Sequence, residues 1–122
     1  MGKHFLQGID TIIIRVSDIE QSKTWYTEKL GMSVMFEEEN TRLVVLDTFG
    51  PTSLTIWETP EKISVNPNSS SYPIFKTPNA EGSRLELIKR DVKAGEINTD
   101  EFVSSFVFYD PDGNILELCQ VH

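Results

Sequence analysis

Apolar and polar residues alternate along the stretch Phe106–Val121 in a pattern that predicts two strands joined by a tight turn. Its first four residues are aromatic or β-branched, which is typical of strands, and the DPDG sequence at 110–113 consists of residues that favour turns. In the second strand, Leu116 and Leu118 flank Glu117. Because strand side chains point alternately to opposite faces, Glu117 lies on the face opposite the leucines. There it either meets solvent or serves as a metal or ligand group inside a cavity.

The pattern in the rest of the chain predicts helices and further short strands. The nearly continuous apolar run Ile9–Val16 predicts a central strand that is buried on both faces. Ser17 and Glu20 have the spacing of a capping box at the start of a helix, whose apolar spacing continues to Leu30, before Gly31. Further strands are expected at 32–38, 42–46, 53–58, 72–77, 101–109 and 114–121, with a short one near 96–98, and a second helix is expected at about 80–90.

The order of these elements indicates two similar halves. The stretch 59–71 is rich in Pro, Asn and Ser and lacks periodicity, so we expect it to connect them. Each half has the order strand, helix and three strands. If Thr11 is paired with Pro73, 62 positions later, the same shift pairs Thr55 with Glu117. An internal duplication is therefore the preferred interpretation, and the single alternation of strand and helix in each half predicts an α+β fold.

Composition limits the classes of function that fit this chain. Its 122 residues suit one domain with a sizeable core, and 39% hydrophobic with 25% charged residues is typical of globular proteins. The net charge of −8 disfavours binding to nucleic-acid backbones or anionic membranes, and no apolar run approaches membrane-spanning length. Cys119 is the single cysteine, so an intrachain disulfide is impossible and we expect a cytoplasmic protein.

Two stretches resemble a known family. IDTIIIRVSDIEQSKTWYTEKLGM and FYDPDGNILELCQ are similar to the opening module and the closing hairpin of the vicinal oxygen chelate superfamily. That superfamily contains glyoxalase I, bleomycin-resistance proteins, fosfomycin-resistance proteins and extradiol dioxygenases. The resemblance covers about 5–121 and implies one domain, 1–122, made of paired βαβββ modules at about 5–59 and 72–121. It further implies a curled mixed β-sheet around a cavity, helices on the outer face, and a homodimer.

The resemblance implies four metal-ligand positions, and this sequence fills only one with a ligating side chain. Thr11 stands where the family usually has a His early in the first strand, and Thr55 stands at the position in the fourth strand. Pro73 stands at the position that opens the second module, whereas Glu117 is retained. A catalytic divalent metal needs about three protein ligands, so we expect no metal or other cofactor. The alternative is a divalent metal that Glu117 holds together with Glu or His of a dimer partner.

Strand parity, combined with the resemblance, indicates which side chains line the cavity. Trp57 and Phe75 are candidates for stacking on a planar or cationic ligand. Glu117 is the candidate anion opposite such a cation, or the candidate catalytic base if the cavity desolvates it. A pairing of Arg15 with Glu117 is the purely structural alternative. The candidate ligand-binding residues are Thr11, Ile13, Arg15, Thr55, Trp57, Phe75, Glu117 and Cys119, and the same parity places Ser53, Thr77 and Ile115 on the cavity side.

Three functions are compatible with these features. The first is a small-molecule-binding protein of the bleomycin-resistance type without the usual divalent metal site. The second is an enzyme, namely a glyoxalase I-like lyase or isomerase or a dioxygenase, with a metal on unusual ligands or with Glu117 as a metal-free base. The third is a non-catalytic interaction module whose own side chains fill the cavity. The expected partners are a small molecule and a second copy of the chain, not nucleic acid or membrane.

Overall fold

The computed structural model describes residues 4–122, which contain two helices and eight strands. The strands are short and the two helices are separated by strands, as the alternating apolar pattern predicts. In chain order the elements are β1 (Thr11–Val16), α1 (Ile19–Leu30), β2 (Ser33–Glu38), β3 (Leu43–Asp47), β4 (Ser53–Glu58), β5 (Ile74–Lys76), α2 (Ala80–Lys89), β6 (Asn98–Thr99), β7 (Val103–Tyr109) and β8 (Ile115–Val121).

The strands form two four-stranded sheets with the same internal order. The first sheet runs β1-β4-β3-β2 and the second β5-β8-β7-β6. In each sheet the edge strand that begins the half is parallel to its neighbour, and the other pairs are antiparallel. The predicted α+β fold is therefore confirmed. The paired βαβββ modules are present as two mixed four-stranded sheets, which do not close into a barrel.

The helices cover one face of the sheets, and the apolar core lies between them. Phe106, Phe108 and Leu116 of the second sheet belong to the same core cluster as residues of the first sheet and of both helices. Among residues 4–122, neither helix is long and apolar enough to cross a membrane. The side chains of this cluster are Ile14, Val16, Ile19, Tyr26, Met32, Val44, Leu46, Leu54, Ile56, Leu87, Val92, Phe106, Phe108 and Leu116.

Strand β1 differs from its sequence-based prediction. It begins at Thr11 and pairs only with β4, so it is an edge strand and not a central one. Ile14 and Val16 face the core, but Ile13 is 52% exposed and Ile9 lies before the strand. The continuous apolar run is therefore not explained by burial on two faces within one chain. Apolar side chains of this run therefore lie on the face of the first sheet that points away from the helices.

Helix α1 begins one residue later than the predicted capping box. The Asp18 carboxylate, and not Ser17, accepts the hydrogen bond that caps the helix, from the Gln21 amide at 3.1 Å. The Ser17 amide and hydroxyl instead donate to the Asp112 carboxylate. The helix ends as predicted at Gly31, which adopts the left-handed conformation with φ 75°. Glycine reaches that conformation without the strain of a side chain.

A buried hydrogen-bond network joins the two halves. The Tyr26 hydroxyl donates to Asp110 Oδ2 at 2.8 Å, and the amides of Asp112 and Asn114 donate to Asp110 Oδ1. The Asn114 side-chain amide donates to the Arg15 carbonyl at 3.0 Å. Burial raises the pKa of the Asp110 carboxyl, and the hydrogen bonds from Asn114 and Tyr26 partly offset that rise. The turn at 110–113 thus fixes the first half against the second.

Candidate functional site

The face of the first sheet that points away from the helices carries most of the predicted site residues. Ile13 pairs with Thr55 across β1 and β4, and Arg15 pairs with Trp57. Residues paired in this way point to the same side of a sheet, and Thr11 lies two residues before Ile13 on the same side. We call this surface the open face of the first sheet. Thr55 is buried among its neighbouring strands there, whereas Ile13 is exposed.

The two threonines on this open face bond to each other. Thr11 Oγ1 lies 2.8 Å from Thr55 Oγ1, and it also lies 3.1 Å from the Ser53 carbonyl, to which it donates. A hydroxyl has one proton to donate. Because Thr11 donates to Ser53, Thr55 donates to Thr11 in this arrangement. Both hydroxyls are therefore satisfied within the chain.

The open face of the second sheet is centred on Glu117. In β8 this residue pairs with Ile74 of β5 and with Val107 of β7, and Cys119 follows on the same side. The Tyr72 hydroxyl donates to Glu117 Oε1 at 3.2 Å. The negative charge of Glu117 raises the pKa of Tyr72 above its usual 10.0, so the phenol keeps its proton at neutral pH.

The prediction that Phe75 shares this face was wrong. Phe75 pairs with Leu118, and both pack against the core on the side of the helices. The cause is a register difference of one residue between the halves. Ile13 pairs with Thr55 but Ile74 pairs with Glu117, so the first strands are related by 61 positions and the last strands by 62. Tyr72, and not Pro73, is therefore the structural equivalent of Thr11.

Equivalent residues of the two helices are also 61 positions apart in the sequence. Asp18 caps α1 and Asn79 caps α2 in the same way, each side chain accepting from the amide three residues later. Ser22 of α1 corresponds in the same way to Ser83 of α2. Consequently Tyr26 corresponds to Leu87, and both are buried, whereas Ile88 is 45% exposed. The two halves thus contain equivalent side-chain pairs, Thr11 with Thr55 and Tyr72 with Glu117.

This donor set does not fit a divalent metal ion. Thr11, Thr55 and Tyr72 contribute neutral hydroxyl groups and only Glu117 contributes a carboxylate, whereas such sites usually take nitrogen, thiolate or carboxylate ligands. The two threonine hydroxyls are already bonded to each other, and the Tyr72 hydroxyl is bonded to Glu117. Among residues 4–122, no three His, Cys, Asp or Glu side chains lie together as a possible metal site.

Arg15 is held beside Trp57 and not beside Glu117. Its guanidinium carbon lies 4.2 Å from the centre of the Trp57 ring, and its nitrogens donate to the carbonyls of Trp57 and Glu58 at 3.1 and 3.0 Å. The indole nitrogen of Trp57 donates to the Thr41 carbonyl at 3.0 Å. The structural alternative, a pairing of Arg15 with Glu117, is therefore wrong. One face of the Trp57 ring is covered by the chain's own cation.

A cleft of about 670 Å³ lies where the edge of β1 approaches the start of β8. Ile13 and Arg15 line it from the first half, and Tyr72 and Ile115 line it from the second. The connecting segment 59–71 contributes much of the remaining wall, with both apolar and polar side chains. This volume is within the range of small-molecule sites. Tyr72 links the cleft to Glu117 through its hydrogen bond.

Sequence reasoning missed Tyr72 and Asp110. The stretch 72–77 has no clear alternation, so nothing in the sequence distinguished Tyr72 from Pro73 as the residue that opens the second half. Asp110 was assigned to the turn alone. A tyrosine on the buried side of α1, which needs a partner for its hydroxyl, was the available signal for the contact between Tyr26 and Asp110.

Comparison with known proteins gives a family and a fold. The family model described as Glyoxalase/Bleomycin resistance protein/Dioxygenase superfamily matches residues 8–118. No curated protein matches the chain. Among solved structures, a glyoxalase family protein from Enterococcus faecalis is 25% identical with a TM-score of 0.74, and the match covers 96% of this chain and 100% of that chain.

Two further solved structures share the fold at lower identity. An antibiotic-binding protein from Streptomyces sp. CB03234 is 20% identical with a TM-score of 0.78, and the match covers 98% of this chain and 100% of that chain. A genomically encoded fosfomycin resistance protein from Listeria monocytogenes is 12% identical with a TM-score of 0.79, with 97% and 96% covered. At these identities the likeness establishes the fold alone.

Proposed function

This chain belongs to the Glyoxalase/Bleomycin resistance protein/Dioxygenase superfamily, and from that premise we propose that it binds a small organic molecule without a divalent metal ion. The observation that carries the proposal is the chemistry of two equivalent pairs of side chains, one pair in each half. They hold a closed hydroxyl pair, Thr11 with Thr55, and a phenol bonded to a single carboxylate, Tyr72 with Glu117. The hydroxyl pair uses its hydrogen bonds within the chain, whereas the Glu117 carboxylate orients an organic ligand, since Tyr72 bonds only one of its oxygens.

The ligand that suits these groups is a planar molecule with a positive charge. Glu117 is the one anion at the four equivalent positions, and Tyr72 uses only one of its oxygens, so the other oxygen remains for an amine or guanidinium. Exposed Ile13 and Ile74 supply apolar contacts on the two open faces. Trp57 is a weaker cation site because Arg15 already covers one face of its ring. The fold is shared with an antibiotic-binding protein, which supports binding of a small molecule.

The site is completed by a second copy of the chain in this proposal. Both open faces expose large apolar side chains: Ile13, Phe36, Ile74 and Val121 are each more than half exposed. Exposed apolar patches of this kind mark interaction surfaces. A homodimer covers them and encloses Glu117 more fully than one chain does. We also place the protein in the reducing cytoplasm, because its single cysteine cannot form an intrachain disulfide.

Fluorescence of Trp57 tests ligand binding directly. The variant Trp25→Phe leaves Trp57 as the only tryptophan, and it is titrated with a panel of cationic aromatic compounds and with neutral analogues of the same shape. A saturable change with the cationic compounds, weakened about tenfold by Glu117→Gln, is expected. Glu101→Gln, at an exposed turn, is the matched control. If no compound changes the emission, or if both variants weaken binding equally, the proposal fails.

A further inference from the structure

A second cleft lies on the opposite side of the second sheet, between the two halves. It has a volume of about 310 Å³ and is bounded by the end of α1, by α2, by β5 and by the turn after β3. Phe75 and Leu118, which point away from Glu117, form part of its floor. The apolar floor consists of Leu30, Met32, Phe75, Leu87, Phe108 and Leu118, and the hydroxyl residues Thr48, Thr77 and Ser83 also line the cleft.

The charges around this cleft oppose the charge of the whole chain. The net charge of the protein is −8, yet the charged residues that line the cleft are three cations, Lys29, Lys76 and Arg90, and one anion, Glu86. Arg90 donates to the Lys29 carbonyl at 2.9 Å and to the Glu86 carboxylate at 2.9 Å. These bonds hold its guanidinium beside the Lys29 backbone. An apolar recess bordered by cations suits a molecule with an apolar body and a negative head group.

The turn after β3 places an aromatic side chain at the same cleft. Phe49 lines it, is 72% exposed and has a φ of 66°. A bulky residue rarely adopts that left-handed conformation. The Asp47 carboxylate accepts from the Phe49 amide at 2.7 Å and supports the turn. Strained residues of this kind concentrate at ligand sites, and here the strain presents an apolar ring to the cleft.

We propose that this second cleft binds an amphipathic monocarboxylate, such as a medium-chain fatty acid. The alkyl chain occupies the apolar floor, and the carboxylate is bound by Arg90 and Lys29. The volume lies at the lower end of small-molecule sites, which favours a single alkyl chain over a larger lipid. The site is independent of Glu117, because it lies on the other face of the second sheet.

Methyl-labelled methionine provides a local readout in the full-length protein. Met32 lines the second cleft, whereas Met35 lies in β2, outside it, and is 62% exposed. Titration with decanoate is expected to shift the Met32 methyl resonance saturably and to leave Met35 unchanged. Decanol is expected to bind roughly tenfold more weakly, because it lacks the charge. A Met35 shift equal to that of Met32, or no saturable Met32 shift, overturns the proposal.

Surface variants at the cleft test the head-group contact without altering the core. Arg90→Gln is expected to weaken decanoate binding roughly tenfold and to leave decanol binding unchanged. Glu86→Gln is expected to strengthen decanoate binding several-fold, because it removes the anion that competes for Arg90. Lys89→Gln, adjacent in sequence but not in the cleft lining, is the matched control. Equal effects of Arg90→Gln and Lys89→Gln contradict the assignment, as does an effect of Glu117→Gln on decanoate.

Discussion

Asp110 joins the two halves through a buried hydrogen bond from Tyr26. It is 5% exposed and accepts hydrogen bonds from Tyr26 and from the turn that follows it. A buried carboxylate is costly unless it is bonded in this way. Burial raises the pKa of the Asp110 carboxyl. The contribution of this shift to the free energy of unfolding is therefore fully present below the ordinary pKa of the carboxyl and is lost as the pH rises through the raised pKa.

Removal of the Tyr26 hydroxyl is expected to destabilise the protein in a pH-dependent way. At neutral pH, Tyr26→Phe removes a hydrogen bond to an ionised carboxylate, which costs about 2 kcal/mol of unfolding free energy. As the pH falls towards the ordinary Asp110 pKa of 3.8, the carboxylate binds a proton and the loss becomes smaller. Denaturant unfolding at several pH values measures this. Tyr72→Phe, whose hydroxyl lies at the surface, is the control, and equal losses for the two variants would contradict this role.

At the residue scale, side-chain direction was predictable only where a strand is long enough to show alternation. Glu117 lies within seven residues of regular β8, and its face followed from Leu116 and Leu118. Strand β5 has only three residues, so one uncertain position reversed the assignment of Phe75. The contact of Arg15 with Trp57 joins strands 42 residues apart in sequence, and no local pattern indicates it.

Two carboxylates from different elements support the start of helix α1. Asp18 accepts from the Gln21 amide, and Glu58 at the end of β4 accepts from the Ile19 amide at 2.9 Å. These two carboxylates satisfy amides that have no partner inside a helix. Arg42 and the Ile19 amide lower the pKa of Glu58. The stabilisation that the Glu58 carboxylate gives to the helix is therefore present above the ordinary pKa of Glu58 and is lost as the pH falls through the lowered pKa.

Replacement of Asp18 is expected to separate capping from other effects of charge. Asp18→Ala removes the cap and costs about 1 kcal/mol of unfolding free energy, whereas Asp18→Asn keeps an oxygen acceptor and costs much less. Thermal unfolding of both variants measures the difference. Equal destabilisation by alanine and asparagine would mean that the charge of Asp18, and not its hydrogen bond, stabilises the start of α1.

At the element scale, most boundaries were predictable because turn residues interrupt each apolar pattern. Strand β4 was predicted at its observed bounds, and α2 to within one residue. The capping box failed because Ser17 bonds to Asp112, 95 residues away. The position of β1 at a sheet edge could not be predicted from the sequence either. A strand has the same apolar run whether its second face packs against the core or against another molecule.

At the scale of the whole molecule, the exposed apolar faces predict association. In sedimentation equilibrium the protein is expected at twice the 13.9 kDa of one chain, because stable dimers bury roughly 1,200–2,000 Å² of such surface. Ile13→Asp and Phe36→Asp, both at exposed positions of the first sheet, are expected to shift the equilibrium to monomer. Leu85→Asp, 59% exposed on α2, is the control. A monomer at all concentrations contradicts the proposed completed site.

The arrangement of the two halves was only partly readable from the sequence. The repeated element order predicted two similar units, and the sheets have the same strand order. A constant shift of 62 positions did not hold, because one residue separates the register of the first strands from that of the last. That single residue decides whether Pro73 or Tyr72 stands beside Glu117, and hence which chemistry the site has.

Metal content tests the central claim most directly. Protein purified without an affinity tag is incubated with zinc, manganese or nickel, desalted and analysed by inductively coupled plasma mass spectrometry. Because Thr11, Thr55 and Tyr72 offer only neutral hydroxyls, the bound metal is expected to remain far below one ion per chain, and Glu117→Gln is expected to leave it unchanged. One tightly held ion per chain that is lost in Glu117→Gln would contradict the account and favour a metal-dependent enzyme.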